Sequence, residues 1–153
     1  MATKFFLCTT CGNVVVKAID SGVDVVCCGQ EMKELIPGTQ DASKEKHVPV
    51  VEHIDECTVR VKVGSMPHPM SKEHHIVFIY LETEHGGQIQ YLDPEGPAEA
   101  CFCGCKDKPV AVYEFCNIHG LWKTEIQNCP GDAEGKCCAE KESCGTRKKG
   151  CCK

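Results

Sequence analysis

Polar and apolar residues alternate along Thr58-Val59-Arg60-Val61-Lys62-Val63, the period-two pattern of a strand with one buried face, and Gly64 ends the run. Ile76-Val77-Phe78-Ile79-Tyr80-Leu81 is apolar almost throughout, as a central strand should be. Gly86-Gly87 marks a hairpin turn into Gln88-Ile89-Gln90-Tyr91-Leu92, and Asp93-Pro94-Glu95-Gly96-Pro97 a further turn or loop. Val110-Ala111-Val112-Tyr113-Glu114-Phe115 completes the set of strand-like runs. With no convincing amphipathic helix among them, these runs predict an antiparallel β-sandwich of about seven strands. The N-terminal stretch reads differently: Val14-Val15-Val16 and Val23-Asp24-Val25-Val26 flank Asp20-Ser21-Gly22 and suggest a hairpin. Gly38-Thr39-Gln40-Asp41-Ala42-Ser43 is polar and without periodicity, as a linker would be. The organisation expected is a small unit over 1–37, a linker over 38–44, the sandwich over 45–126 and a tail of different composition over 127–153.

Composition changes this picture at the cysteines. The chain has 15 of them in 153 residues, a density typical of secreted disulfide scaffolds or of metal sites. Only Phe5-Phe6-Leu7 is apolar before Cys8, so no signal peptide is expected and the chain is placed in the cytoplasm, where thiols stay reduced. An odd count also forbids complete intramolecular pairing, which favours metal. No apolar run approaches the roughly 18 residues of a membrane helix, so no membrane partner is expected. A net charge of −5 argues against nucleic acid as the main partner. Attraction of an anionic substrate would need a local positive group.

Cys8-Thr9-Thr10-Cys11-Gly12 is a CxxCG knuckle, whose spacing lets two sulfurs face one ion while the glycine permits the tight turn. Cys27-Cys28-Gly29 follows, and four thiolates on one ion would staple a unit too short to fold on its core alone. Sulfur ligands do not by themselves separate iron from zinc. Cys101, Cys103 and Cys105 alternate, as thiols on one face of a strand would, without a partner motif. From Gln127 onward six cysteines sit among four glycines in a segment of formal charge +2, expected to be flexible. Two readings stay open there: an auxiliary thiolate metal site, or a tail whose thiols are redox-labile.

The sandwich has its own candidate ligands. Cys116-Asn117-Ile118-His119 places a thiolate and an imidazole three residues apart, directly after a strand. His68 is held between Pro67 and Pro69, which limits the entropy lost in presenting its ring, and His74 stands at the start of the Ile76 strand. In Glu45-Lys46-His47-Val48-Pro49, the charged pair alone reads as a solvated surface pair and His47 as a loop histidine. Together His47, His68, His74, His119 and Cys116 form a set of five, one more than structural zinc uses. Five suits iron, which takes six and would keep one position open for a substrate.

The paired knuckles at 8, 11, 27 and 28, Glu45-Lys46-His47-Val48-Pro49, His68-Pro69-Met70 with His74, and Cys116-Asn117-Ile118-His119-Gly120 together resemble desulfoferrodoxin, the two-iron class of superoxide reductase. The likeness covers about residues 4 to 126. It implies a desulforedoxin-like domain with a rubredoxin-type iron on Cys8, Cys11, Cys27 and Cys28. It also implies that the sandwich is immunoglobulin-like and carries a second iron, with His47, His68, His74 and His119 equatorial and Cys116 axial, and that the protein is a homodimer. The activity implied is one-electron reduction of superoxide to hydrogen peroxide, with electrons from an external donor such as rubredoxin. Lys46, beside His47, would supply positive charge and help deliver protons; Glu45 would assist product release. His75 departs from the family pattern and could compete with His74, although strand alternation argues against both pointing inward. His53 and His85 have no motif support, and the tail lies outside the likeness. A non-enzymatic electron carrier or metal-binding protein is the alternative function, and a dismutase a third.

Overall fold

The computed structural model describes residues 3–39, 43–55, 58–103 and 107–126. Cys105 and the segment 127–153 therefore lie outside the described residues, and the expectations attached to them with it. Two sheets form the main body. One has three strands in the order β10-β7-β6, from Glu99–Cys103, Thr58–Val63 and Pro49–Asp55. The other has four in the order β12-β11-β8-β9, from Gly120–Glu125, Pro109–Cys116, Ile76–Thr83 and Gly87–Tyr91. All the strand pairs in both are antiparallel. The seven strands expected are thus present, and the Gly86-Gly87 hairpin joins β8 to β9 as its turn residues require.

Alternation decides where each side chain goes. Along β7, Val59, Val61 and Val63 are buried while Thr58, Arg60 and Lys62 are half-buried. The valines join Ile76, Ile79 and Leu81 of β8, Ala100 and Phe102 of β10 and Val112 of β11 in one core between the sheets, and Cys116 is part of it. The odd residues of β11 face the other way: Ala111, Tyr113 and Phe115 pack with Phe78, Leu121 and Phe5. Both faces of β11 are covered, which explains its apolar composition. Cys101 and Cys103 of β10 are half-buried between the buried Ala100 and Phe102, so they share the strand's outer face as the alternation predicts.

Phe5 belongs to the N-terminal unit. Its strand β1 (Lys4–Leu7) lies between β2 (Val14–Lys17) and β5 (Lys33–Glu34), and a separate ribbon pairs β3 (Val26–Cys27) with β4 (Gln30–Glu31). This corrects the expected hairpin: Val14 to Val16 pair with Phe5 to Leu7, not with residues 23 to 26. Val23 and Val26 are 69% and 62% exposed and Val25 alone of that run packs against the small core, whereas β1 offers two buried phenylalanines. Phe5 has no exposed surface and stacks at 5.9 Å on Phe78, and burying such a ring contributes about 1.5–3 kcal/mol. The buried Glu82 ties the same strand down, accepting from Thr3 N and Oγ1 at 2.7 and 2.8 Å and from the Tyr113 hydroxyl at 3.1 Å.

One element was not anticipated. Lys44–His47 forms a single helical turn, α1, across the expected boundary between linker and sandwich, too short to leave a periodic pattern. Gly64 makes room for it: with φ at +79°, a Cβ there would stand 2.6 Å from the Lys46 carbonyl oxygen.

At the far end of β8, Asp107 accepts from the Thr83 hydroxyl and from the backbone N–H and Nδ1 of His85, the last two at 2.9 Å. The Thr83 hydroxyl first, then His85, hold its carboxyl down at about 2, and Asp107 in turn raises the His85 imidazole. The raised His85 stabilises the fold below its unfolded pKa of about 6.5 and loses that effect as pH rises through the folded value. The depressed Asp107 acts above about 3.9 and loses its effect as pH falls towards 2. Both therefore act together between about pH 4 and 6.5. Asp107→Asn is expected to lower the His85 pKa in an NMR titration and to reduce Tm more at pH 5 than at pH 8; an unmoved His85 titration would contradict the pairing.

Candidate metal centre

Five side chains from three separate segments converge at one end of the sandwich: His47 from α1, His68 and His74 from the connection between β7 and β8, and Cys116 and His119 from the end of β11 and the turn that follows it. Their ligand atoms all lie within 4.8 Å of one another. The pairing of β11 with β8 slips at this end, with Phe115 opposite Phe78 but Cys116 opposite Ile76, so a bulge sits beside the site and re-aims both strand ends. Cys116 and His47 are buried at 0% and 2% exposure.

The imidazoles form a closed square. His47 neighbours His68 and His119, each at a centroid distance of 4.7 Å, and His74 neighbours the same two at 4.6 and 4.8 Å. Every adjacent pair is close to perpendicular, with interplanar angles of 74° to 81°. Nε2 of His47 lies 2.9 Å from His119 Nδ1 and 3.1 Å from His68 Nε2. Donors about 2.1 Å from a common ion lie about 3.0 Å apart at right angles and about 3.4 Å apart in a tetrahedron. The spacing is that of a square. Cys116 Sγ stands 3.6 Å from both His68 Nε2 and His119 Nδ1, as a cap on it.

Hydrogen bonds show what the facing nitrogens carry. His47 Nδ1 lies 2.8 Å from the Ser43 carbonyl and His68 Nδ1 2.6 Å from that of Pro69, so each Nδ1 must be the N–H and each Nε2 a lone pair. Two lone pairs 3.1 Å apart repel unless a cation or a proton lies between them. Protonation is opposed by burial, which is the first cause holding His47, His68 and His74 below the usual imidazole value, His68 at about 4. His74 Nε2 is buried without a hydrogen-bond partner among the described residues. Four nitrogens and a sulfur directed at one point, with an orphaned buried nitrogen among them, fit a metal ion. Trp122 completes the wall, stacked on His47 at 4.9 Å with its Nε1 donating to the His119 carbonyl at 3.2 Å.

Lys46 and Glu45 are exposed on α1. After burial and the neighbouring imidazoles, the Lys46 charge is among the causes that hold His47 and His74 low, so its field reaches the square. The Glu45 carbonyl is pinned by Met66 N at 3.0 Å and Ser65 Oγ at 3.3 Å, which fixes the turn beside His47. His75 does not enter the cluster: its Nδ1 turns to the Ser71 carbonyl at 3.0 Å. Sequence patterns did not single out Glu114, which points into the same interior two residues before Cys116. Its carboxyl is fully buried with neither oxygen hydrogen-bonded among the described residues, and burial raises its pKa. The signal for it was one acidic residue inside an otherwise apolar strand.

A second cluster joins Cys8, Cys11, Cys27 and Cys28. The sulfurs of Cys27 lie 3.6 Å from Cys11 and 3.9 Å from Cys28, bracketing the roughly 3.8 Å expected of four sulfurs around one tetrahedral ion. The knuckles turn through positive φ at Gly12, Cys28 and Gly29. The Cys11 backbone N–H draws the Cys8 thiol down to about 6, whereas hydrogen bonding to Cys11 pushes Cys28 up to about 12. Without a cation the four cannot all be thiolates; with one they can. The remaining cluster among the described residues, Glu84, His85 and Asp107, is more exposed, and His85 and Asp107 are already bonded to each other.

A family model described as Desulfoferrodoxin matches residues 39–125, more than half of the chain. The chain belongs to the desulfoferrodoxin family. It is 43% identical to the desulfoferrodoxin of Nitratidesulfovibrio vulgaris over 122 residues, which covers 80% of this chain and 95% of that one. Identity to the desulfoferrodoxin of Desulfarculus baarsii is 45% over 123 residues, with the same coverage of 80% and 95%. Among solved structures, the superoxide reductase from Treponema pallidum superposes with a TM-score of 0.69 at 36% identity, covering 82% of this chain and all of that one. The desulfoferrodoxin alignments are longer than the segment matched by the family model, so likeness extends beyond the sandwich.

Proposed function

We propose that this desulfoferrodoxin is a superoxide reductase that converts superoxide, one electron and two protons into hydrogen peroxide. The observation that carries the reading is the square of imidazole nitrogens capped by the Cys116 sulfur, a donor set with five members where an octahedral ion takes six. Likeness to the Treponema pallidum superoxide reductase supports it. His47, His68, His74, His119 and Cys116 are the proposed ligands of one iron per chain, and Cys8, Cys11, Cys27 and Cys28 those of a second. Iron at the square would supply the electron directly to a bound substrate.

The protein supplies everything else. The Ser43 and Pro69 carbonyls fix the tautomers of His47 and His68 and so aim their lone pairs. With iron bound, the buried Cys116 sulfur, faced by the N–H groups of His119 and Ile118, would be a thiolate ligand and supply electron density. Lys46 attracts the anion and orients water for proton delivery; Glu45, next to it, assists departure of the product. The electron source is an external rubredoxin-like donor, and the working compartment is the cytoplasm, in keeping with thiols held as metal ligands. Residues 1–37 and 45–126 act as separate metal-binding domains. Two chains associate as a homodimer; β2, at the edge of its sheet with Val15 and Val16 37% and 38% exposed, supports this. A monomeric mass in sedimentation would count against it.

Pulse radiolysis tests the activity and the role of Lys46 together. The iron-loaded chain with a reductant should yield one peroxide per superoxide and no oxygen, whereas oxygen from half the substrate would mark a dismutase. Lys46→Ala is expected to slow superoxide capture about 10-fold or more and to flatten its dependence on ionic strength. An unchanged rate and salt slope would remove Lys46 from the mechanism.

A further inference from the structure

Three of the four imidazoles have a visible reason for their orientation. His47 and His68 each donate to a backbone carbonyl, and His119 lies in the tight turn after Cys116, with its own carbonyl held by Trp122. His74 differs: no hydrogen bond from the described residues reaches its ring, and Nε2 is buried without a partner. Its orientation must come from its backbone. The chain on both sides of it is held by one residue, Asn117, more than 40 positions later in sequence. Asn117 Nδ2 donates to the Glu73 carbonyl at 2.8 Å, Asn117 Oδ1 accepts from His75 N at 3.0 Å, and Asn117 N donates to the His75 carbonyl at 3.1 Å. Ser71 closes the same loop from within, its Oγ accepting from His74 N at 3.2 Å and its N donating to the His74 carbonyl at 2.9 Å. Those contacts shape the loop but do not tie it to the strand that holds Cys116.

We propose that Asn117 is the positioning residue for His74, a clamp whose three hydrogen bonds straddle that histidine and lock it in register with Cys116 and His119. The side-chain chemistry suits the task. A carboxamide offers a donor and an acceptor on one planar group, and the loop presents a carbonyl at 73 and an N–H at 75. Aspartate would keep the acceptor and lose the donor; alanine would lose both. The inference rests on the metal reading given above, since only a metal requires His74 to meet three other imidazoles at one point.

Cobalt(II) loaded into the full chain provides a test that does not depend on turnover. Hyperfine-shifted ring protons count the imidazoles bound, and competition with a chelator gives the affinity at the histidine site. Wild type is expected to show four bound rings. Asn117→Ala should show three, with His74 the one lost, and bind cobalt about 10- to 100-fold more weakly; Asn117→Asp, which keeps the bond to His75 N, should fall between. Hydrogen exchange of the His75 amide in the metal-free chain should quicken in the alanine variant while the β8 and β11 amides stay protected, which separates a released clamp from a failed fold. Four bound rings and an unchanged affinity in Asn117→Ala would overturn the inference and leave the metal reading standing. No histidine-bound cobalt in wild type would overturn both.

Discussion

Cys116→Ser is expected to abolish the thiolate-to-iron absorption of the histidine site and to lower the rate of superoxide reduction at least about 100-fold, leaving the absorption of the four-cysteine site in place. The substitution is close to isosteric, and Cys116 lies at the end of β11 with no exposed surface, so the variant should fold. What changes is the donor. A thiol deprotonates on binding a metal and stays there as a polarizable anion, whereas a serine hydroxyl at the same place remains neutral near pH 7. Burial raises the Cys116 thiol, and the N–H groups of His119 and Ile118 pull it partly back; these same groups are placed to steady a bound thiolate. Loss of the absorption band with turnover intact would show that the sulfur is not an electronic lever. Survival of the band would show that it is not a ligand.

Much of the sandwich was legible because alternation is a local property. The Thr58 to Val63 run and the apolar run from Ile76 each report their own burial, and both fall where the structure puts β7 and β8. Most of the candidate ligands were legible for a different reason: a histidine between prolines, one at a strand start and one in a CxxH turn are chemically conspicuous, whereas His47 alone reads as a loop histidine. What no local pattern reveals is how distant segments meet. The valines of β2 suggested a hairpin with Val23 to Val26, and the buried Phe5 and Phe6 of β1 decide for pairing backward instead. The single turn of α1 is too short for periodicity. The proposed Asn117 clamp acts on residues more than 40 positions away, and the Ser43 and Pro69 carbonyls, though near in sequence, reach His47 and His68 only through the local backbone course, so neither emerges before three dimensions.

Removing the metal from the four-cysteine cluster is expected to unfold most of the N-terminal unit while the sandwich persists. The buried core of that unit consists of Phe6, Cys8 and Met32, so one of its three members is itself a proposed ligand. A core of that size cannot offset the chain entropy of some 30 residues, whereas a structural tetrathiolate site supplies apparent binding energies of about 10–16 kcal/mol in small metal-folded peptides. Anchors to the sandwich set the boundary of the effect. Thr3 is held by Glu82, Phe5 lies in the aromatic cluster with Phe78 and Tyr113, and Gly38 N donates to the Leu121 carbonyl at 2.9 Å. These contacts do not involve the cysteines, so both ends of the unit should stay attached while the knuckles between them open. Cys11→Ser removes one ligand at an exposed position and so leaves no void in the core. Hydrogen exchange followed by mass spectrometry should then show peptides within residues 8–34 losing protection, in the chelated wild type and in this variant alike, with peptides from β8 and β11 unchanged. Retained protection across 8–34 would mean that β1, β2 and β5 hold together through pairing alone, and the metal there would have to be assigned a redox rather than a structural role.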